Sequence, residues 1–318
     1  MPMDLLIENL TNPALLLFLL GILAVQVKSD LAIPENSAKF ISIYLLFAIG
    51  FKGGHELAHS SIDGEVIATI GYALAAASLV PVIVFFVVKK KFSVANAAAI
   101  AAAYGSVSAV TFVTAITYLE RQDLEFGGHM VAVLALMEAP AIIVGVLLLR
   151  KYDRDEVAMP FSKVLHHAVT NGSVLLILGS LIIGYLANDA QADEIKPFTT
   201  DIFKGFLAIF LLDMGIQSGK RLGDFFREGR SATFFAIIIP LVNGSITAWV
   251  SHGFSNSVGD RFMLAILVAS ASYIAVPAAM KMAAPKANPG IYLPMALAIT
   301  FPVNITLGMP LYFLIAGL

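Results

Sequence analysis

Two short stretches of this 318-residue chain set small hydroxylated residues in the middle of apolar runs. The first reads Tyr104-Gly105-Ser106-Val107-Ser108, with Thr111 three residues on. The second reads Ser270-Ala271-Ser272-Tyr273 and is closed by Pro277. Gly105 lowers the cost of leaving helical geometry, and Pro277 removes a donor and frees carbonyls of the preceding turn. Both stretches therefore predict interrupted helices. Unwound backbone at membrane depth is tolerated only where it is buried in protein or lines a cavity, and it leaves paired half-helix ends. The N-terminal ends attract an anion through free amides and the helix dipole. Freed carbonyls and serine hydroxyls suit a hard cation such as sodium. The competing reading is that Gly and Ser only permit close helix packing and that Pro277 only kinks its helix. The matched position of the two stretches in the two halves of the chain favours a site.

Two carboxylates lie inside apolar runs. Glu138 sits in Leu136-Met137-Glu138-Ala139-Pro140, and Asp213 in Leu211-Leu212-Asp213-Met214-Gly215. A charge at that depth costs roughly 2.5–3.5 kcal/mol on insertion scales, so it normally faces a partner or a wet cavity. Their functional reading is cation coordination or proton exchange; the alternative is snorkelling, or pairing with Lys204, Lys52 or Lys281. Asn243 and Asn304 are further polar candidates, the latter two residues after Pro302; an interhelical hydrogen bond competes with a site role. Lys52 ends a Gly-rich segment and is expected to snorkel outward. The six histidines cluster near the ends of apolar runs, and none is expected to combine metal-ligand spacing on one helix face with an acidic helper. There is no cysteine, which excludes disulfides, thiolate metal sites and cysteine nucleophiles.

The elements that must carry these residues follow from composition. The chain is 58% hydrophobic and only 13% charged, whereas soluble domains carry roughly 25% charged residues. A soluble enzyme, a disordered chain and a nucleic-acid binder are all excluded on that ground. Apolar runs between charged or Pro/Gly punctuation predict ten transmembrane helices, at about 12–28, 36–55, 65–88, 94–118, 128–149, 167–188, 198–219, 231–253, 261–282 and 290–316. The first is short and could extend upstream through Leu5 to Leu10. With the N-terminus outside, one side of the membrane holds fifteen of the 20 Lys and Arg, and the other only Lys52, Arg121, Lys196, Lys204 and Arg261. Basic loops stay in the cytoplasm, so both termini are expected to face the periplasm from a bacterial inner membrane. The N-terminus lacks the basic region of a secretory signal, so the first apolar run is read as a retained span.

The two halves echo each other. Ile49-Gly50-Phe51-Lys52-Gly53-Gly54-His55-Glu56-Leu57 and Met214-Gly215-Ile216-Gln217-Ser218-Gly219-Lys220-Arg221-Leu222 share Gly, Gly and Leu at the same spacing. Ser106-Val107-Ser108 matches Ser270-Ala271-Ser272, and Pro140 matches Pro302. The fold class expected is thus an all-α polytopic membrane protein, a 5+5 inverted repeat with broken, crossing fourth and ninth spans. Its first repeat is residues 1–150, its cytoplasmic linker 151–166 and its second repeat 167–318. Inverted repeats with discontinuous helices are typical of secondary transporters.

These segments resemble the sodium-dependent bicarbonate transporters known best from cyanobacteria. The likeness rests on Ile33-Pro34-Glu35, Ile49-Gly50 with Gly53-Gly54, Tyr104 to Ser108 with Leu119-Glu120, Met137 to Pro140, and Ser270 to Pro277 with Ala287-Asn288-Pro289. It implies a homotrimer of protomers with core and gate domains, and inward sodium-coupled bicarbonate transport by alternating access. It also implies a regulatory partner similar to the PII class on the cytoplasmic face, although the central linker is much shorter here. By the resemblance, Gly105, Ser106, Val107 and Ser108 with Ser270, Ala271 and Ser272 bind substrate. Sodium is then the coupling ion, held through Ser106, Ser108, Ser270, Ser272 and Glu138, and no other cofactor is implied. Thr111, Glu138, Tyr273, Asp213 and Asn304 are the ion-coupling candidates. Glu138 stands where cyanobacterial members have Asp, so the carboxylate is kept; Tyr273 stands where they have Asp, which argues against unchanged sodium coupling; and Asp213 and Asn304 stand where they are apolar or small, so the cation site is expected to have shifted.

The leading expectation is a secondary transporter importing a small anion, bicarbonate with sodium. A cation/proton antiporter with Glu138 as proton carrier, or a sodium-coupled organic-anion symporter, stays open. A membrane receptor or scaffold gains nothing from broken helices. For an intramembrane enzyme, no zinc-ligand pair, no cysteine and no Ser/His pair is evident at midplane depth.

Overall fold

The computed structural model describes residues 13–153, 162, 163, 166, 170–225 and 230–318, which are mostly helical with no strand among them. Most of the expected linker, the upstream run Leu5 to Leu10, and His167 lie outside the described residues. In chain order the helices are α1 (Pro13–Gln26), α2 (Glu35–Ala58), α3 (Gly64–Val88), α4 (Val94–Gly105), α5 (Ala109–Arg121), α6 (His129–Leu136), α7 (Glu138–Tyr152), α8 (Gly172–Leu186) and α9 (Asp189–Lys196). They continue as α10 (Phe203–Phe225), α11 (Arg230–Val250), α12 (Val258–Ala269), α13 (Ala275–Ala283) and α14 (Pro289–Ala316). In α14, α-helical and wider π-type turns alternate around Pro294, Pro302 and Pro310. Each proline lacks the amide that a regular ladder needs, and π-turns absorb the mismatch.

Six stretches are long and apolar enough to cross a membrane: Gly64–Val88, Val94–Arg121, His129–Tyr152, Asp189–Leu222, Ser231–Gly253 and Pro289–Ala316. The remaining expected spans also coincide with helices, α1, α2, α8 and the α12–α13 pair. With 14 and 15 residues, α1 and α8 reach only about 20 Å at 1.5 Å per residue, short of the roughly 30 Å hydrocarbon layer. Helix α2 is long enough, but its ends carry Glu35, Lys39, Lys52 and Glu56.

Polar side chains cap the helix starts. Asp63 Oδ1 accepts from the Glu65 and Val66 amides at 3.0 Å, and Asn171, Asn188 and Ser257 act likewise on α8, α9 and α12. Glycines set which helices pair. A Cβ on Gly54 would meet the Leu181 carbonyl, and one on Gly184 the Phe51 carbonyl, so α2 and α8 touch backbone to backbone. Gly21 and Gly215 do the same for α1 and α10, against the Leu212 and Phe18 carbonyls. Without a hydrophobic drive between helices in lipid, such small-residue contacts supply the association. The alanine-rich α4 is buried on all sides, packed by α3 and α7; α12 is packed similarly by α11 and α14. Large apolar side chains such as Leu23, Ile67, Leu79 and Ile83 face outward, as lipid contact requires.

Candidate substrate site

The helical order fails at both serine stretches. After α4 the chain is extended at Ser106, where the backbone ψ is −175°, and helix resumes as α5 from Ala109. After α12 it is extended at Ser270 and resumes as α13 from Ala275. Pro277 is the third residue of α13. A proline in a first turn costs nothing, because that amide has no helical partner. Pro277 therefore starts the second half-helix and does not kink a continuous one. Gly105 lies against the Pro81 ring of α3, where any Cβ would collide.

The two breaks are bonded to each other. The Ser108 amide donates to Ser270 Oγ at 2.8 Å, and the Ser272 amide donates to the Ala103 carbonyl at 2.8 Å. Ser270 Oγ donates in turn to the Leu267 carbonyl at 2.8 Å. Ser108 caps α5, accepting from the Thr111 amide at 3.1 Å, and Ser272 Oγ accepts from the Val276 amide in the first turn of α13 at 3.3 Å. Asn304 Nδ2 donates to the Ala269 carbonyl at 2.9 Å, and its Oδ1 accepts from the Tyr312 hydroxyl at 2.9 Å. The C-terminal ends of α4 and α12 are thus tied up within the protein. At the N-terminal ends, the amides of Ala109, Val110 and Ala275 have no such partner among the described residues. Of the two kinds of helix end, it is the positive one that stays free.

Those free ends open on one cavity of about 40 Å³. Its walls include Val107, Ser108, Ala109 and Val110 from the first break and Ser272, Tyr273, Ile274 and Ala275 from the second. Ser42 and Leu46 of α2, Phe210 of α10 and Glu138 also line it. Glu138 opens α7 after a turn at Met137, an interruption of the fifth span that the sequence did not announce. It is 6% exposed, and its Oε1 has no hydrogen-bond partner. The Ser106 hydroxyl is likewise buried and unpartnered. The Tyr273 hydroxyl lies near Ser108 but makes no bond of proper geometry.

Of the candidates named from sequence, Val107, Ser108, Ser272, Tyr273 and Glu138 meet at this cavity. Ser270 joins the two breaks, Gly105 packs on Pro81, and Thr111 is held by its capped amide. Buried Asn304 is engaged at both ends of its amide, in the interhelical role its depth also allowed. Asp213 is 3% exposed and lines a separate 930 Å³ cavity with Glu35, Lys39, Ser42 and Gln217. The two cavities share Ser42, Leu46, Ser173, Ile274 and Ala275. At the other end of α2 a 420 Å³ cavity holds Lys52, Glu56, Glu120 and Lys204. Lys204 Nζ meets Glu120 Oε2 there at 2.9 Å.

One sequence expectation fails. His55 and His59 lie four residues apart on one face of α2, and Asp189 at the start of α9 meets both. The i, i+4 spacing was visible in the sequence, but the acidic helper comes from a residue 130 positions further along the chain and is found only in the fold.

No curated protein matches the chain. A family model described as the Na+-dependent bicarbonate transporter superfamily matches residues 13–317, nearly the whole length, and the chain belongs to that family of membrane transporters: it is a transporter and not an enzyme.

Proposed function

We propose that this protein imports bicarbonate together with sodium by alternating access, with both solutes held at the crossed breaks. The observation that carries this reading is the convergence of free N-terminal amides from α5 and α13 on a cavity that also contains Glu138. Free amides and two helix dipoles favour an anion. A carboxylate in the same small cavity repels that anion unless a cation sits between them, which is a physical reason for obligatory co-transport. The Glu138 carboxylate and the Ser108, Ser272 and Tyr273 oxygens are the hard donors sodium requires. Size favours bicarbonate over a bulky organic anion: a water needs roughly 10–15 Å³ by this measure, so 40 Å³ holds only a few heavy atoms.

The helix pairing supports a 5+5 inverted repeat. Span 1 packs on span 7 and span 2 on span 6, so the two contacts exchange into each other when every span is replaced by its repeat mate. The helices before and after each broken span pack on it in the same way in both halves. Under the topology set by basic residues, the shared wall with the Asp213 cavity opens the site to the cytoplasm. Leu45 and Val113 line the site while Ala48, Ile49 and Ile116 line the outer cavity with Lys52, which supports reading this as an inward-facing state. Residence in the bacterial inner membrane, assembly as a homotrimer and control by a PII-like protein extend the same reading from the family resemblance.

Proteoliposomes test it. Labelled bicarbonate uptake should rise several-fold when an inward sodium gradient replaces an equal potassium gradient. Equal uptake in both removes sodium coupling, and no uptake in either removes bicarbonate.

A further inference from the structure

We propose that His55, His59 and Asp189 form a site for a divalent transition-metal ion of the zinc type, separate from the substrate cavity. One helix face supplies both imidazoles, and the start of α9 supplies the carboxylate. The three ligand atoms lie within 4.8 Å of one another. His59 Nε2 is 3.2 Å and His55 Nε2 3.5 Å from the same oxygen, Asp189 Oδ1. Two ligands bonded about 2.0–2.2 Å from a tetrahedral zinc stand roughly 3.4 Å apart. Both observed spacings are close to that separation; 3.2 Å is at the upper end of the hydrogen-bond range and 3.5 Å lies beyond it.

The tautomer sharpens the argument. His59 Nδ1 lies 2.9 Å from the His55 carbonyl oxygen. A carbonyl can only accept, so Nδ1 carries a hydrogen. In the neutral ring Nε2 then presents a bare lone pair to a carboxylate oxygen, an arrangement that needs a cation between the two. This Nδ1 bond to a carbonyl is also the outer contact that orients most metal-bound imidazoles. His55 Nδ1 is buried with no hydrogen-bond partner among the described residues, and the ring meets that of His59 edge-on, with centroids 4.8 Å apart. The cluster opens on an 840 Å³ mouth lined by Glu56, Glu120, Asp123 and Glu125 against Lys52, a net negative field that concentrates cations. Imidazole with one carboxylate selects zinc, copper or nickel over magnesium or calcium. Bound there, the ion would tie the end of α2 to the start of α9 and brace the α2–α8 pair, leaving the crossed breaks untouched.

The remaining way to satisfy the geometry is a doubly protonated His59 paired with Asp189. Tag-free, full-length protein in detergent separates the two. Zinc chloride titrated by calorimetry should bind one to one with a Kd in the micromolar range, weaker than closed four-ligand sites. Saturating zinc should raise the thermal midpoint, because it binds only the folded state. His59→Ala and Asp189→Asn should each weaken binding at least tenfold, at unchanged size-exclusion elution. His166→Ala/His167→Ala should bind zinc as the wild type does, and magnesium should not compete. The proposal is overturned if wild-type protein takes up no stoichiometric zinc, or if the double variant His55→Ala/His59→Ala binds it with the same Kd. A thermal midpoint that falls as pH rises, with zinc having no effect, assigns the contact to the ion pair and also overturns it.

Discussion

The Ser108 amide donates to the Ser270 hydroxyl at 2.8 Å, and that bond closes one half of the chain onto the other at the place where both helices are interrupted. A residue 162 positions away thereby completes the capping of α5.

Ser270→Ala removes the acceptor for Ser108 and leaves a buried amide unpaired, a loss of about 1–3 kcal/mol. Its thermal midpoint in detergent should fall clearly below that of Ser106→Ala, because the Ser106 hydroxyl has no partner to lose. Equal midpoints for the two variants would mean that the joint carries no stability.

Glu138→Gln keeps shape and removes charge. Since no partner holds Oε1, the variant should fold with an unchanged or higher midpoint, given the cost of a buried carboxylate. Uptake by the variant should lose its response to sodium. Full sodium stimulation in this variant would take Glu138 out of the coupling site.

Gly105→Ala forces a methyl group into the Pro81 ring. A proline ring cannot rotate away, so overpacking should cost about 1–3 kcal/mol. The control is Gly71→Ala in α3, which meets open space and should be neutral or stabilising by up to about 1 kcal/mol. Thermal scans of the two, side by side, check the sign of each.

Asn304→Leu removes the donor to the Ala269 carbonyl at the second break and the acceptor that the Tyr312 hydroxyl shares with the Pro240 carbonyl. It should lower the midpoint by more than Lys204→Ala, whose ion pair with Glu120 is 71% exposed on the lysine side. Exposed pairs contribute roughly 0–1 kcal/mol. A larger loss for Lys204→Ala would reverse the ranking of buried and exposed polar contacts proposed for this protein.

The serine stretches were legible because a Gly or Pro beside hydroxyl residues, deep in an apolar run, has few structural uses. The long apolar helices followed from composition, and the extent of α3 and α11 from hydropathy alone. The turn at Met137 was not legible, since Pro140 sits in the first turn of α7 and leaves no signature at the break itself. The division of labour between Ser270 and Ser272 was hidden for another reason. Both are small hydroxyls in one motif, and only the crossing decides that Ser270 becomes the joint while Ser272 faces the cavity. Asn304 and Asp213 looked alike from sequence as buried polar groups. The fold engages both ends of the Asn304 amide and turns Asp213 toward a wide cavity. The His55, His59 and Asp189 cluster required a contact between distant parts of the chain, which periodicity does not report.

Equilibrium binding of labelled bicarbonate to purified protein tests the central claim most directly. Val107→Trp fills the cavity wall between the two breaks without touching Ser108 or Ser270 bonds. Wild-type protein should bind bicarbonate saturably and more tightly with sodium than with potassium, while Val107→Trp, eluting as the wild type does, should bind at least tenfold more weakly. Undiminished binding by that variant would show that the anion sits somewhere other than the crossed breaks.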